Sequence, residues 1–189
     1  MHKRIYIYVF VWLNLILASI YYMSNYMFKE SVESQAPSVF PANNWVKLNT
    51  RKNNLVLFLH PHCPCSFATV NELKRVLART DVDLSVVFID LDKSYDLSRQ
   101  ELFKQVSQIK AAKIIIDKNN VMTKAFKVYT SGTILAYNKD GGLIFQGGIT
   151  AGRGEEGDNL AKNKLVQSLK CQKMSQAQVF GCSLLDSKD

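Results

Sequence analysis

Apolar and polar positions divide the chain into one long apolar run, a polar stretch, and a series of short elements with alternating periodicity. Residues Ile5 to Met23 read IYIYVFVWLNLILASIYYM, with Asn14 and Ser19 the only polar side chains and no charge. At about 1.5 Å per helical residue this run matches the hydrocarbon thickness of a bilayer. His2, Lys3 and Arg4 precede it, which sets the N-terminus in the cytoplasm, and Tyr21, Tyr22, Tyr26 and Phe28 suit the opposite interface. Two other readings stay open. A cleaved signal peptide is disfavoured by the length of the run and by the bulky YYMSNYMF after it, which offers no small-x-small site. A buried helix of a soluble protein is the other. Either membrane-related reading delivers the rest of the chain to an extracytoplasmic, periplasm-like compartment, and the uncleaved anchor makes it a single-pass protein of the cytoplasmic membrane.

Residues 1–28 are thus expected to form the cytoplasmic N-terminus and anchor. Lys29 to Asn44 is polar, carries Pro37 and Pro41, and lacks an amphipathic period, so it predicts a linker at 29–44. The alternative is an extended arm packed on the domain, with Trp45 and Val46 opening the folded part. That part, 45–170, alternates strands and helices before a tail at 171–189. Asn54–His60 is nearly all apolar, as a strand buried on both faces should be. Ser66–Thr80 carries Phe67, Val70, Leu73, Val76 and Leu77 at helical spacing. Asp83–Asp90 is a second buried strand. Ser98–Lys110 places Leu102, Phe103, Val106 and Ile109 inward, and Ser98 with Glu101 fits a capping box. Lys113–Ile116 predicts a short strand and Asn120–Val128 a short helix. Thr133–Asn138 and Leu143–Gln146 flank Lys139-Asp140-Gly141-Gly142 and predict a hairpin. Asp158 is placed to cap a last helix ending near Lys170. Two parallel strands joined by a helix, then a hairpin and a helix, make one α/β domain with a mixed sheet.

Composition narrows the function classes. With 47% hydrophobic and 21% charged residues, the 189-residue chain is neither disordered nor polytopic. Its formal charge of +8 would suit nucleic acid only if clustered. Lys110, Lys113, Lys118, Lys124 and Lys127 are instead interleaved with apolar positions, which predicts a solvated face and no nucleic-acid partner. Neither a catalytic Ser-His-Asp set nor a glycosidase-like carboxylate pair is evident. The segment Gly147 to Asp158 is glycine-rich and precedes a helix, but lacks the Lys-Ser/Thr of a phosphate-binding loop. It predicts either a loop with positive dihedrals or one wall of a functional groove.

The chemistry concentrates in His60-Pro61-His62-Cys63-Pro64-Cys65-Ser66, where the first domain strand gives way to a helix. Unpaired N–H groups and the positive dipole end at a helix N-terminus stabilise thiolate over thiol. The thiolate is the species that attacks disulfides and binds soft metals. Cys63 is the expected nucleophile, Cys65 its partner, and His62 a neighbour able to lower the thiol pKa. Two rival readings stay open. One is a Cu(I) site on Cys63, Cys65, His60 and His62, suited to soft sulfur ligands. The other is an inert structural pair. No further cofactor is expected.

These residues also carry a resemblance. LVLFLHPHCPC, the strand at Val86–Asp90 and the late hairpin resemble the thioredoxin-like superfamily, near its membrane-anchored TlpA-type proteins. HPHCPCS with GGIT-x-x-RG-x-EGDN at Gly147–Asn159 and the terminal VFGC is similar to the RedB-like proteins, over roughly Trp45 to Cys182. The resemblance implies a four- or five-stranded mixed sheet flanked by helices, thiol–disulfide work outside the cytoplasm, protein thiols or disulfides as substrates, and a redox partner protein in the same compartment. It puts Cys63 on the nucleophilic cysteine, and raises interest in Arg153 and Asp158 without assigning them chemistry. Three departures stand out. The usual resolving position holds Ser66, which leaves C-x-C; a disulfide across one residue should be strained and readily reduced. Leu57 replaces a buried acid, so a proton relay would fall to His60, His62 or water. Gly132 replaces the usual cis-proline, which makes a cis bond unexpected there. A degenerate fold that only binds partners is the remaining alternative.

Cys171 and Cys182 lie in the tail. In an oxidising compartment the simplest expectation is a bridge between them. The sharper alternative is that Cys182 reaches the active site as a third redox thiol.

Overall fold

The structure is a computed structural model that describes residues 2–29, 31–41, 45–91, 96–110 and 112–185. Parts of the expected linker (30 and 42–44) and of the tail (186–189) lie outside the described residues. Helix α1, His2–Phe28, is long and apolar enough to cross a membrane over Arg4–Phe28, and none of that span is buried by the rest of the chain.

The strands are β1 (Asn53–Leu59), β2 (Val82–Ile89), β3 (Ala112–Asp117), β4 (Thr133–Tyr137), β5 (Leu143–Gly147) and β6 (Ser175–Gln176). They form one sheet in the order β3-β2-β1-β4-β5-β6. β1 runs parallel to β2 and β2 to β3, while β4 is antiparallel to both β1 and β5. β1 is central because Leu55 to Leu59 are apolar and fully enclosed, and the buried Asn54 side chain is satisfied by Asn49 and Lys52 of the preceding turn. Leu55, Leu57 and Leu59 pack under α2 (Cys65–Leu77), α3 (Glu101–Ser107) and α5 (Leu160–Cys171). Val56 and Phe58 pack on the opposite face with Met122 and Phe126 of α4 (Val121–Phe126). A parallel βαβ unit, an antiparallel hairpin beside its first strand and a closing helix constitute a thioredoxin-like fold, as the resemblance implied. The sheet has six strands rather than four or five, because the tail adds β6 parallel to β5.

Three local expectations are corrected. The Ser98–Glu101 capping box does not close, because Gln100 is extended and separates a short turn at Leu97–Arg99 from α3. Asp96 caps that turn instead, accepting from Ser98 N at 3.1 Å. The cap of α5 is Asn159, whose extended backbone lets its Oδ1 accept from Lys162 N at 2.8 Å. Asp158 pairs with Lys162 Nζ at 2.8 Å from an exposed position. Finally, the described part of 29–44 does not hang free as a tether. Ser38–Phe40 bonds alongside Gly141–Leu143, and Phe40 lies edge-on to Tyr137 and Phe126 with centroids 5.1 and 5.6 Å apart. The polarity of the stretch hides one aromatic anchor that is enough to pin it. The five lysines at 110, 113, 118, 124 and 127 are exposed, as expected.

Candidate thiol site

β1 ends at Leu59 and α2 begins at Cys65, so the five-residue turn His60–Pro64 and the first helical residue present Cys63 and Cys65 at the end of the sheet. The turn closes by Cys63 N–H donating to His60 O (3.1 Å), and the first helical turn by Ser66 N–H donating to Cys63 O (3.1 Å). Pro64 precedes the helix with no side-chain cap, which leaves the amide end of α2 available to the sulfurs. Cys63 is 1% exposed. Burial pushes its thiol up, but donors outweigh it and hold the pKa below the ordinary value: the Cys182 side chain, the Ser66 hydroxyl, and the backbone amides of Cys182 and Cys65. The Ser66 and Ser131 hydroxyls are 2.8 Å apart, and Ser131 Oγ accepts from His60 N at 2.8 Å. With Ser66 donating to Cys63, Ser131 donates to Ser66, so each hydroxyl gives one hydrogen bond and takes one.

Cys182 reaches this site from the far end of the chain. Ser131 N–H donates to Cys182 O (2.8 Å), Leu184 N–H donates to Tyr129 O (2.9 Å), and Thr130 bridges Ser183 antiparallel. The tail thus adds a short strip of backbone to the segment leading into β4. Burial, the hydrogen bond to Cys63 and the negative charge there push the Cys182 thiol up to about 12. Cys65, half-buried, is also raised, first by burial and then by Cys63, with Arg153 opposing. The site therefore sets one thiol whose pKa is lowered beside two whose values are raised. Cys171 is exposed at the end of α5, all four cysteines are reduced, and the expected Cys171–Cys182 pair is not formed. The alternative, Cys182 at the active site, matches where the chain goes.

Arg153 ties these parts together. Its Nη1 donates to Gly181 O (2.7 Å) and its Nη2 to Ser31 Oγ (3.4 Å), which accepts in turn from Gly181 N (3.1 Å). The guanidinium lies 5.2 Å from the ring centroid of Tyr26, and Arg153 N donates to Met27 O (3.1 Å). One side chain thereby links the end of α1, the residue before Cys182, and the sulfur of Cys65. Gly181 permits this approach: a Cβ there would stand 1.9 Å from Ser131 O.

The remaining expectations resolve as follows. His62 is exposed and its backbone N–H donates to His60 Nδ1 (3.1 Å), with the rings 5.9 Å apart. The stabilisation of Cys63 comes chiefly from Cys182 and Ser66. Among the described residues, no group of three or more His, Cys, Asp or Glu side chains is arranged to hold a metal ion. Leu57 is enclosed in the core, and Gly132 takes a positive φ of 89° with its N–H donating to Phe58 O (2.8 Å). No described peptide bond is cis.

The glycine-rich loop is a wall of the site through Arg153, and it is fastened by Glu72. This α2 carboxylate is 0% exposed, pairs with Lys162 Nζ at 2.6 Å and with Arg75, and accepts from Gly157 N at 2.9 Å. Sequence reasoning missed Ser66, Ser131 and the Glu72–Lys162 pair as contributors. Ser66 carried a signal, since a hydroxyl in the first turn beside a nucleophilic sulfur is a ready donor. The other two depend on contacts across 65 and 90 residues.

No protein-family model and no curated protein sequence matches the chain. Solved structures share its fold. An uncharacterized conserved protein from Geobacillus kaustophilus superposes with a TM-score of 0.58 at 14% identity, covering 86% of this chain and 95% of that one. A hypothetical protein from Sinorhizobium meliloti 1021 superposes with a TM-score of 0.56 at 16% identity, covering 84% and 100%. A secreted Mycobacterium tuberculosis disulfide oxidoreductase matches at 17% identity over 66% and 84%, with a TM-score of 0.46 that is too low to bear on function.

Proposed function

We propose that this chain is a membrane-tethered, extracytoplasmic thiol–disulfide oxidoreductase, akin to the TlpA-type and RedB-like proteins, with Cys63 as the attacking thiolate. The observation that carries this reading is the concentration of donors on one buried sulfur flanked by two neutral thiols. A structural cysteine has no use for a stabilised thiolate, whereas exchange requires one. Protein disulfides or thiols are the substrates, and a second redox protein of the same compartment restores the site. Cys65 is the partner thiol that spacing suggests, and the anchor keeps the reaction at the membrane surface. The same two sulfurs would also suit Cu(I), which prefers soft ligands at low coordination number.

Insulin reduction and scrambled-ribonuclease turnover by the full chain in detergent micelles test the reading, beside Cu(I) stoichiometry. Turnover abolished in Cys63→Ser is the expected result. Stoichiometric copper binding lost in Cys63→Ser and Cys65→Ser, with no turnover in the parent, would replace the oxidoreductase by a copper carrier. Neither activity would leave a partner-binding domain.

A further inference from the structure

Cys63 needs a second sulfur to release a substrate, and two compete for that role. Cys65 follows by one residue, so a bond to it closes a small ring whose geometry is hard to satisfy. Cys182 approaches from another segment and carries no such ring constraint. Its N–H and its side chain both bond to the Cys63 sulfur, and its side chain is the largest of the stabilising contributions there. The surrounding chain is built around that approach. Ser131 N holds Cys182 O and Tyr129 O holds Leu184 N. Ser31 and Arg153 hold Gly181, and only glycine fits against Ser131 O. Cys65 also hydrogen-bonds to the Cys63 sulfur, but its side chain is shared with Arg153.

We propose that Cys182, delivered by the tail, is the thiol that resolves the mixed disulfide on Cys63. This rests on the oxidoreductase reading above and names the partner sulfur within it. Because Cys63 is 1% exposed, an incoming disulfide reaches it when the strip Cys182–Leu184 lifts from residues 129–131. The Cys63 thiolate attacks one sulfur of the substrate disulfide, forming a Cys63–substrate disulfide and expelling the other sulfur as a thiolate. The tail then returns, and the Cys182 sulfur attacks the Cys63 sulfur. A Cys63–Cys182 disulfide forms, the second substrate sulfur leaves, and the proton of Cys182 passes to the leaving thiolate. The substrate disulfide is reduced by two electrons to one thiol and one thiolate, the latter taking its proton from water, and the protein sulfurs are oxidised by the same two electrons. A dithiol reductant of the compartment returns the site to its starting state, and the sequence is reversible. Timing follows from charge: the negative Cys63 keeps Cys182 protonated, and its capture in a mixed disulfide removes that restraint.

The test treats the full chain in detergent micelles with glutathione disulfide and follows the adducts by non-reducing peptide mapping. The parent should pass through glutathione on Cys63 to a Cys63–Cys182 link. Cys182→Ser should retain the adduct, with resolution slowed at least about tenfold because an intramolecular thiol has been lost. Cys65→Ser should still pass from the adduct on Cys63 to the Cys63–Cys182 link. The link in the parent protein needs no variant and so decides the matter even if Cys182→Ser folds poorly. A Cys63–Cys65 link, or an adduct that persists only in Cys65→Ser, overturns this inference alone. Glutathione that never reaches Cys63 sinks the oxidoreductase reading and this inference with it.

Discussion

A thiol buried to 1% exposure ordinarily stays protonated, because a low-dielectric surround penalises the thiolate. At Cys63 that penalty is overcome by hydrogen bonds from Cys182, Ser66 and two backbone amides. Hydrogen bonds to a charged acceptor are the stronger kind, so removing one should be felt. Ser66→Ala deletes the hydroxyl and leaves the amides. The Cys63 pKa should rise toward the ordinary thiol value, and exchange at neutral pH should slow by about threefold to tenfold. Ultraviolet thiolate absorbance against pH, measured beside turnover, checks both; an unchanged titration would remove Ser66 from the thiolate's support. The same depression has a stability consequence. Between the lowered folded value and the ordinary unfolded one, the native chain binds fewer protons at Cys63 than the unfolded chain does. The resulting stabilisation is fully present above the unfolded thiol value and is lost as pH falls through the folded one. Urea midpoints at stepped pH should show that decline, and Cys63→Ser should flatten it. Cys63, Cys65 and a helix end behind them are readable from sequence because the reason is local. Ser131 is not, since its place beside Ser66 is set by the pairing of β4 with β1.

Elements, more than single residues, decide where the loops of the site stand. Strand and helix types follow from periodicity, and β1, β2, α2 and the hairpin lie close to where apolar spacing puts them. Their ends are less legible, since Gln100 and Asn159 turn on one extended backbone each. The polar arm and the tail are the least legible, because a two-residue β6, a bridge at Thr130–Ser183 and a buried Phe40 leave no period to detect. Two contacts between elements are open to test. Glu72 of α2 holds Lys162 of α5 and the amide of Gly157 in the Arg153 loop. Glu72→Ala would leave a buried ammonium with only the Gly157 carbonyl and the exposed Asp158, at a cost of about 3 kcal/mol. Thermal unfolding followed by near-ultraviolet circular dichroism reads that loss, and a change below about 0.5 kcal/mol would show the pair to be dispensable. At the other contact, Gly181→Ala puts a methyl into Ser131 O, and overpacking of this kind costs about 1–3 kcal/mol. The cheapest relief is for the tail to leave the edge, so Cys63 should become open to alkylation while β1, α2 and the hairpin stay folded. Alkylation rates for the variant and parent, mapped by peptide, would show this, and equal rates would mean the tail does not cover the sulfur.

The whole molecule joins two features that the average composition conceals, an apolar helix and a thiol site, and they meet in one place. The last turn of α1 rests against the Arg153 loop through Tyr26 and Met27, and Arg153 in turn holds the residue before Cys182. On the proposed membrane-anchored reading, the Tyr26 ring at the end of α1 would stand at headgroup level and hold the site close to the bilayer surface. On that reading, the substrates the site would meet are those that come to the membrane or are anchored in it. It also gives the compartment a direct assay, because Cys171 is exposed at the end of α5, away from the thiol cluster. The proposed orientation, with the basic residues before α1 on the cytoplasmic side, would put Cys171 outside. A membrane-impermeant maleimide should therefore label Cys171 in spheroplasts before lysis, and Cys171→Ser should abolish that label. Labelling that appears only after lysis would reverse the orientation. It would place the three remaining thiols in a reducing compartment, where a disulfide-exchange role for Cys63 would lose the environment it needs.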